Sequence, residues 1–219
     1  YLVRTPAGWT RKEPADQDLS GLNRIAGLVS TDLDGDGDLD VVAVSEWGGI
    51  HLLRNTRGHF ATWPSRVDVT QLSPPVKDVD TVDQLTGFWR GVGSGDFDGD
   101  GRMDLVISNQ GWNQPSSLLL PWYLYFGDLA GSGAVDLIEA FDEPVQTARR
   151  VPWRAWDVLT PSLPSLKERF PTYRQFARAT VEEVLGEAST RAGFLVVRTS
   201  TSLVLLNRGD HFEARPLPM

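Results

Sequence analysis

The chain has 219 residues, 29 acidic against 21 basic side chains, a formal charge of -8, eight tryptophans and no cysteine. This size allows a well-buried core, as one domain or a small repeat array. The acidity excludes a basic stripe for following a nucleic-acid backbone, and the cysteine count excludes disulfides, Cys-ligated zinc and a thiol nucleophile.

From the start of the chain, Tyr1–Trp9 reads as a divergent fragment of a longer repeated unit. Starting at Tyr1 instead of methionine, the chain reads as a processed or trimmed product. The unit is clearest from Ile25 onward. Ile25-Ala-Gly-Leu-Val-Ser30 leads into an acidic loop, Asp32-Leu-Asp-Gly-Asp-Gly-Asp-Leu-Asp40, and Leu39-Asp-Val-Val-Ala-Val44 leaves it as a buried strand. Trp47-Gly-Gly turns the chain into a strand at Ile50–Asn55, and Asn55-Thr-Arg-Gly58 turns it again before His59-Phe60. Short strands joined by Gly and Asn turns predict one four-stranded antiparallel sheet per unit.

Residues 71–83 read as an inserted loop. Phe88-Trp-Arg-Gly-Val-Gly93 then leads into a second acidic loop, Asp96-Phe-Asp-Gly-Asp-Gly-Arg-Met-Asp104, followed by a strand from Met103 to Ser108. A third, decayed copy runs from Gly127 through Asp128 to Asp136, with Ala130 and Ser132 at the positions where the others carry aspartate. The helical periodicity of Leu163, Leu166 and Phe170, and then of Phe176, Ala177, Val181, Val184 and Leu185, predicts two short helices. They form a helical insertion at 161–186. The distal half of the unit recurs at the end, where Leu205-Leu-Asn207-Arg-Gly-Asp-His211-Phe212 echoes Leu52 to Phe60. The whole predicts a single all-β domain over 1–219, a β-propeller-like array of about four four-stranded units, complete or partial, with a small helical insertion.

Each full loop places carboxylates at relative positions 1, 3, 5 and 9 and glycines at 4 and 6. Hard oxygens converging from one loop suit Ca²⁺, which takes six to eight oxygen ligands, and glycine permits the positive-φ turns that point them inward. The expected ligands are Asp32, Asp34, Asp36 and Asp40, with Asp38 through its carbonyl. In the second loop they are Asp96, Asp98, Asp100 and Asp104, with Arg102 through its carbonyl. Two such ions would bring the formal charge from -8 to -4. Asp128, Ser132 and Asp136 form a weaker third candidate. An EF-hand is excluded, because position 12 is Ala43 or Ile107 inside an apparent strand instead of a bidentate glutamate.

Clustered aspartates answer a cation, whereas acid/base catalysis needs two carboxyls in unlike environments; no serine sits in a nucleophile elbow, so no catalysis is expected. His51, His59 and His211 read as turn and strand residues. Two aromatic groups could face a ligand. One is Trp112 with Asn113, flanked by Asn109, Gln110 and Gln114; the other is Trp153 with Trp156, among Arg149, Arg150 and Arg154.

The loop-and-strand segments Asp32–Val41 and Gly95–Val106, with the turn Asn207–Phe212, resemble the FG-GAP or VCBS-type repeats of integrin α-subunit-like β-propellers. The stretch Leu163–Thr180 looks like an insertion in their secreted bacterial branch. The resemblance implies four-stranded blades, Ca²⁺ held between blade strands by the aspartates just named, and six or seven blades in a closed ring. About four units fall short of that, which implies a small propeller, an incomplete one open to self-association, or a fragment whose edges an insertion or another copy covers. The expected function is a calcium-binding scaffold for a protein or carbohydrate partner, extracellular or periplasmic, with no nucleic-acid partner and no membrane insertion. A carbohydrate-binding or carbohydrate-processing protein, and an accessory domain of a larger secreted enzyme, are the alternatives.

Overall fold

The computed structural model describes residues 2–6, 8–11, 22, 24–73, 75–111, 120–143 and 149–218. The fold is predominantly β with a small helical insertion, and its main sheet is an open curl resembling part of a β-propeller.

A short hairpin, β1 (Leu2–Thr5) with β2 (Gly8–Arg11), stands as its own two-stranded sheet. The first blade is the meander β3 (Ile25–Thr31), β4 (Asp40–Gly48), β5 (Ile50–Thr56) and β6 (His59–Thr62). Its strands alternate so that Val42, Val44, Ile50 and Leu52 share one buried face. β7 (Arg66–Asp68) and a 3₁₀ turn at Val82–Gln84 follow.

The second blade opens with β8 (Gly87–Gly95) and β9 (Asp104–Asn109), paired antiparallel. Its third and fourth strands come from the far end of the chain, as β14 (Leu203–Asn207) and β15 (His211–Pro216). β7 then adds in parallel to the outer edge of β15. The echo of Leu52–Phe60 in Leu205–Phe212 therefore marks the completion of this blade, since β14 and β15 stand to β9 as β5 and β6 stand to β4.

The two blades join where the end of β4 bends onto β8, pairing Glu46 with Phe88 and Gly48 with Gly87. Between them lies one apolar core that combines the buried face of the first blade with Trp89, Leu105, Ile107, Leu203, Leu205 and Phe212. Glycines let the inner strands close. A Cβ on Gly27 would stand 2.8 Å from the Gly91 Cα, and these two glycines hold equivalent places five residues before their loops.

Residues 110–202 are inserted inside the second blade. They build a separate sheet from β10 (Trp122–Gly127), β11 (Asp136–Asp142), β12 (Arg150–Pro152) and β13 (Gly193–Val197), ordered β12-β11-β10-β13. The decayed third loop joins β10 to β11, as the acidic loops join β3 to β4 and β8 to β9. One face, with Tyr125, Ile138 and Ala140, is covered by helical residues Leu159, Leu166, Phe176 and Val184. The other meets the blades where Trp122 and Val197 pack on Phe88 and Trp47.

The helical part is longer and more broken than the periodicity suggests. It comprises α1 (Trp156–Leu159), α2 (Leu166–Arg169), α3 (Tyr173–Phe176) and α4 (Val181–Leu185), then a 3₁₀ turn at Gly186–Thr190. Thr172 and Thr180 end the preceding loops as N-caps, each in a capping box with Gln175 or Glu183. These boxes restart the helix twice, where apolar spacing alone reads through.

Candidate metal sites

Both acidic loops connect the first two strands of a blade, and their internal bonding is nearly identical. The Asp32 carboxylate accepts the amides of Gly35 at 2.8 Å and Gly37 at 3.0 Å. Asp96 accepts those of Gly99 and Gly101 at the same two distances. These bonds require the left-handed backbone that the glycines adopt, with φ of +77° and +94° in the first loop and +80° and +86° in the second.

Position nine is the buried anchor. Asp40 Oδ2 accepts the Leu33 amide at 2.9 Å, and its Oδ1 accepts the Asn55 amide at 2.8 Å. Asp104 repeats this with Phe97 and Asn207, both at 2.8 Å. Each aspartate thus ties the head of its loop to the next hairpin. Burial pushes the Asp40 carboxyl above its ordinary range, the two amides pull it down, and Asp34 and Asp36 push it up again. A nearby divalent cation would favour the ionised form.

At position three, Arg54 Nε reaches Asp34 Oδ2 at 2.6 Å, and Arg208 pairs with Asp98. The hydrogen bond from Arg208 holds the Asp98 carboxyl below the usual range. Arg208 also holds Glu213 at 3.0 Å, which links the loop to β15.

Asp32, Asp34 and Asp40 each offer an oxygen within 4.8 Å of the other two, and so do Asp96, Asp98 and Asp104. Oxygens sharing one Ca²⁺ at about 2.3–2.6 Å are at most about 5 Å apart, so both groups are compact enough for one ion. Asp36 and Asp100 fall outside these groups. Asp36 accepts the Asp38 amide at 2.8 Å, and Asp100 accepts that of Arg102 at 2.9 Å and pairs with its guanidinium. The Asp38 side chain accepts the Arg57 amide at 2.7 Å.

The third loop keeps the turn without the charge. Asp128 accepts the amides of Ser132 at 2.7 Å and Gly133 at 3.0 Å, and Gly131 and Gly133 have φ of +73° and +81°. Among the described residues, Asp136 accepts only the Ala130 amide, at 3.0 Å. With Ala130 at position three, the loop brings two carboxylates where the others bring three.

Residues 32–107 match the FG-GAP-like repeat, and residues 88–138 match the FG-GAP repeat. Residues 32–138 are an FG-GAP repeat region. FG-GAP repeats are structural and non-catalytic. The region covers both acidic loops and the decayed copy; the strands that complete its second blade lie beyond it, at 203–216. No curated protein and no solved structure gives a significant match to the chain.

Of the two aromatic groups, Trp112 and Asn113 lie outside the described residues. Trp153 and Trp156 line one cleft of about 290 Å³ with Tyr173 and Phe176. Trp156 and Tyr173 are 5.3 Å apart at their centroids, and the buried Trp156 Nε1 has no hydrogen-bond partner among the described residues. Arg154 lines the cleft but is paired with Glu139. Residue order does not single out Tyr173, Arg54, Arg208 or the two asparagines as site residues. The paired asparagines have a visible trace, because Asn55 and Asn207 stand in both echoed turns.

Proposed function

We propose that this protein is an exported scaffold whose FG-GAP loops each bind one Ca²⁺, and that the ions brace blades that present a surface to a protein or carbohydrate partner. The observation that carries this reading is the repetition of one three-carboxylate arrangement at equivalent points of two blades. In this reading Asp36 and Asp100 turn toward the ion and complete the shell with the carbonyls of Asp38 and Arg102. The third loop, with Asp128, Ser132 and Asp136, binds weakly. Millimolar external calcium would keep sites of modest affinity filled, which favours an extracellular or periplasmic setting. No helix among the described residues is long and apolar enough to cross a membrane. At the open end of the curl, β6 is an edge strand among the described residues, and unpaired edges invite another chain, a second copy included.

Calorimetric titration of Ca²⁺ into chelator-stripped, folded protein tests this, with thermal unfolding in parallel. Two binding events and a raised unfolding temperature are expected, both lost with Asp34→Asn plus Asp98→Asn. Absence of heat and of stabilisation in the parent protein overturns it.

The cleft of Trp153, Trp156 and Tyr173 favours a second reading, carbohydrate binding. Aromatic faces stack on sugar rings, and Trp153, Trp156 and Tyr173 line this cleft together. Quenching of tryptophan fluorescence by oligosaccharides, lost in Trp153→Ala, would support it.

A further inference from the structure

The linker after β7, the start of β10, the end of β11 and the residue following β13 meet around a cleft of about 390 Å³. That volume lies within the range of small-molecule sites. Pro75, Val76, Leu120 and Pro121 give it an aliphatic wall, and its polar lining is Lys77, Asp78, Tyr123, Asp142 and Arg198.

Part of this polar lining is already satisfied. Asp142 accepts from Arg150 Nε at 2.9 Å and from the Tyr123 hydroxyl at 3.1 Å. The Arg150 guanidinium lies 3.4 Å over the Tyr123 ring and donates to the Tyr125 hydroxyl at 3.0 Å. Aspartate, arginine and tyrosine form a closed network with no charge left over.

Arg198 and Lys77 are different. Arg198 is half-buried, and among the described residues its side chain makes a single long hydrogen bond, from Nη1 to the Lys77 carbonyl at 3.5 Å. Among the described residues, neither cation has a carboxylate within ion-pair distance. A charge partly withdrawn from water without a partner is unfavourable, and a guanidinium edge matches a carboxylate in plane. Exposed Asp78 at the rim leaves about one net positive charge, which favours a monoanion.

We propose that this cleft binds a small organic carboxylate, its head on Arg198 with Lys77 beside it and a compact apolar body against Val76, Leu120 and Pro121. The same chemistry is offered by a free organic acid and by the C-terminal residue of a peptide. The site is separate from the acidic loops, so it stands or falls independently of calcium.

The test is calorimetry on the full chain with phenylacetate, N-acetylphenylalanine and neutral phenylacetamide. One equivalent of at least one acid should bind, with the amide about tenfold weaker or more, and Arg198→Gln should weaken the acid by a similar factor. Binding of phenylacetate alone identifies a free acid as the source; binding of N-acetylphenylalanine identifies a chain terminus. If Arg198→Gln fails to fold, Lys77→Gln replaces an exposed side chain and should still weaken the acid about threefold. Failure of both acids to bind, equal binding of the amide, or unchanged affinity in the folded variants would overturn the proposal.

Discussion

Asn207, in the last hairpin of the chain, donates its side-chain amide to the Leu33 carbonyl at 2.8 Å, although the two residues are 174 positions apart. The same amide reaches the Met103 carbonyl at 3.2 Å, while the Asn207 backbone N–H bonds Asp104. One buried side chain thereby locks the first acidic loop to the second. The side-chain amide of Asn55, its counterpart in the first blade, donates to its own loop at Leu39, and its Oδ1 accepts the Gly58 amide of its own turn. Asn207→Ala should therefore cost about 1–3 kcal/mol, since it leaves carbonyls without partners, and Asn55→Ala about 1 kcal/mol or less. Urea unfolding of both variants in chelator would measure the difference; equal losses would deny the cross-blade role.

The two functions of the acidic loops should separate by position. Asp40 offers both oxygens to backbone amides, so Asp40→Asn turns an N–H toward an N–H. It should lower the stability of the metal-free protein by about 1–3 kcal/mol. Asp34 accepts one long backbone bond of 3.3 Å and an arginine. Asp34→Asn should leave metal-free stability within about 1 kcal/mol and act on calcium affinity instead. Denaturation in chelator, paired with calcium titration, distinguishes these outcomes.

Gly27 and Gly91 occupy equivalent positions but should respond unequally to substitution. A methyl on Gly27 meets the Gly91 backbone, whereas a methyl on Gly91 meets only the Ser108 hydroxyl at 3.3 Å. Gly27→Ala should cost about 1–3 kcal/mol as overpacking, and Gly91→Ala clearly less. Thermal unfolding of the pair provides the comparison.

His51 predicts a pH dependence. Burial lowers its pKa from the ordinary 6.5, and its Nε2 is buried without a hydrogen-bond partner among the described residues. Below pH 6.5 the unfolded chain takes up a proton that the folded chain resists. This contribution is thus present above pH 6.5 and is lost as pH falls toward the folded value. Stability measured from pH 7.5 down to 5 should fall less steeply in His51→Gln than in the parent. An unchanged slope would assign the dependence elsewhere.

The turn chemistry is legible in residue order because it is local. Alternating Asp and Gly over nine residues defines the Asp32 and Asp96 turns, and Gly131 and Gly133 preserve the third even where Ala130 has removed a carboxylate. Strand partnership is not local. Leu205 pairs with Leu105 across the insertion, and nothing in either segment's alternation names the other, so the echo at Leu205–Phe212 reads as a further unit. The compact carboxylate groups are partly legible: positions one, three and nine come together as the spacing suggests, while Asp36 and Asp100 bond their own turns. Arg208 at Asp98 depends on the same long-range pairing as β14, and Tyr173 reaches Trp156 only through the helical packing.

The divided second blade also sets a timetable for synthesis. β9 emerges from the ribosome with one neighbour, β8, and its other edge waits for β14, about ninety residues later. At typical elongation rates that interval lasts roughly 5–20 s. During it, Leu105 and Ile107 lack the strand that finally seals them, while the inserted sheet and its helices can already close over a core of their own. A nascent chain halted after β9 has cleared the ribosome but before β14 is made should therefore be a better chaperone substrate, and more prone to aggregate, than one that already carries β14 and β15.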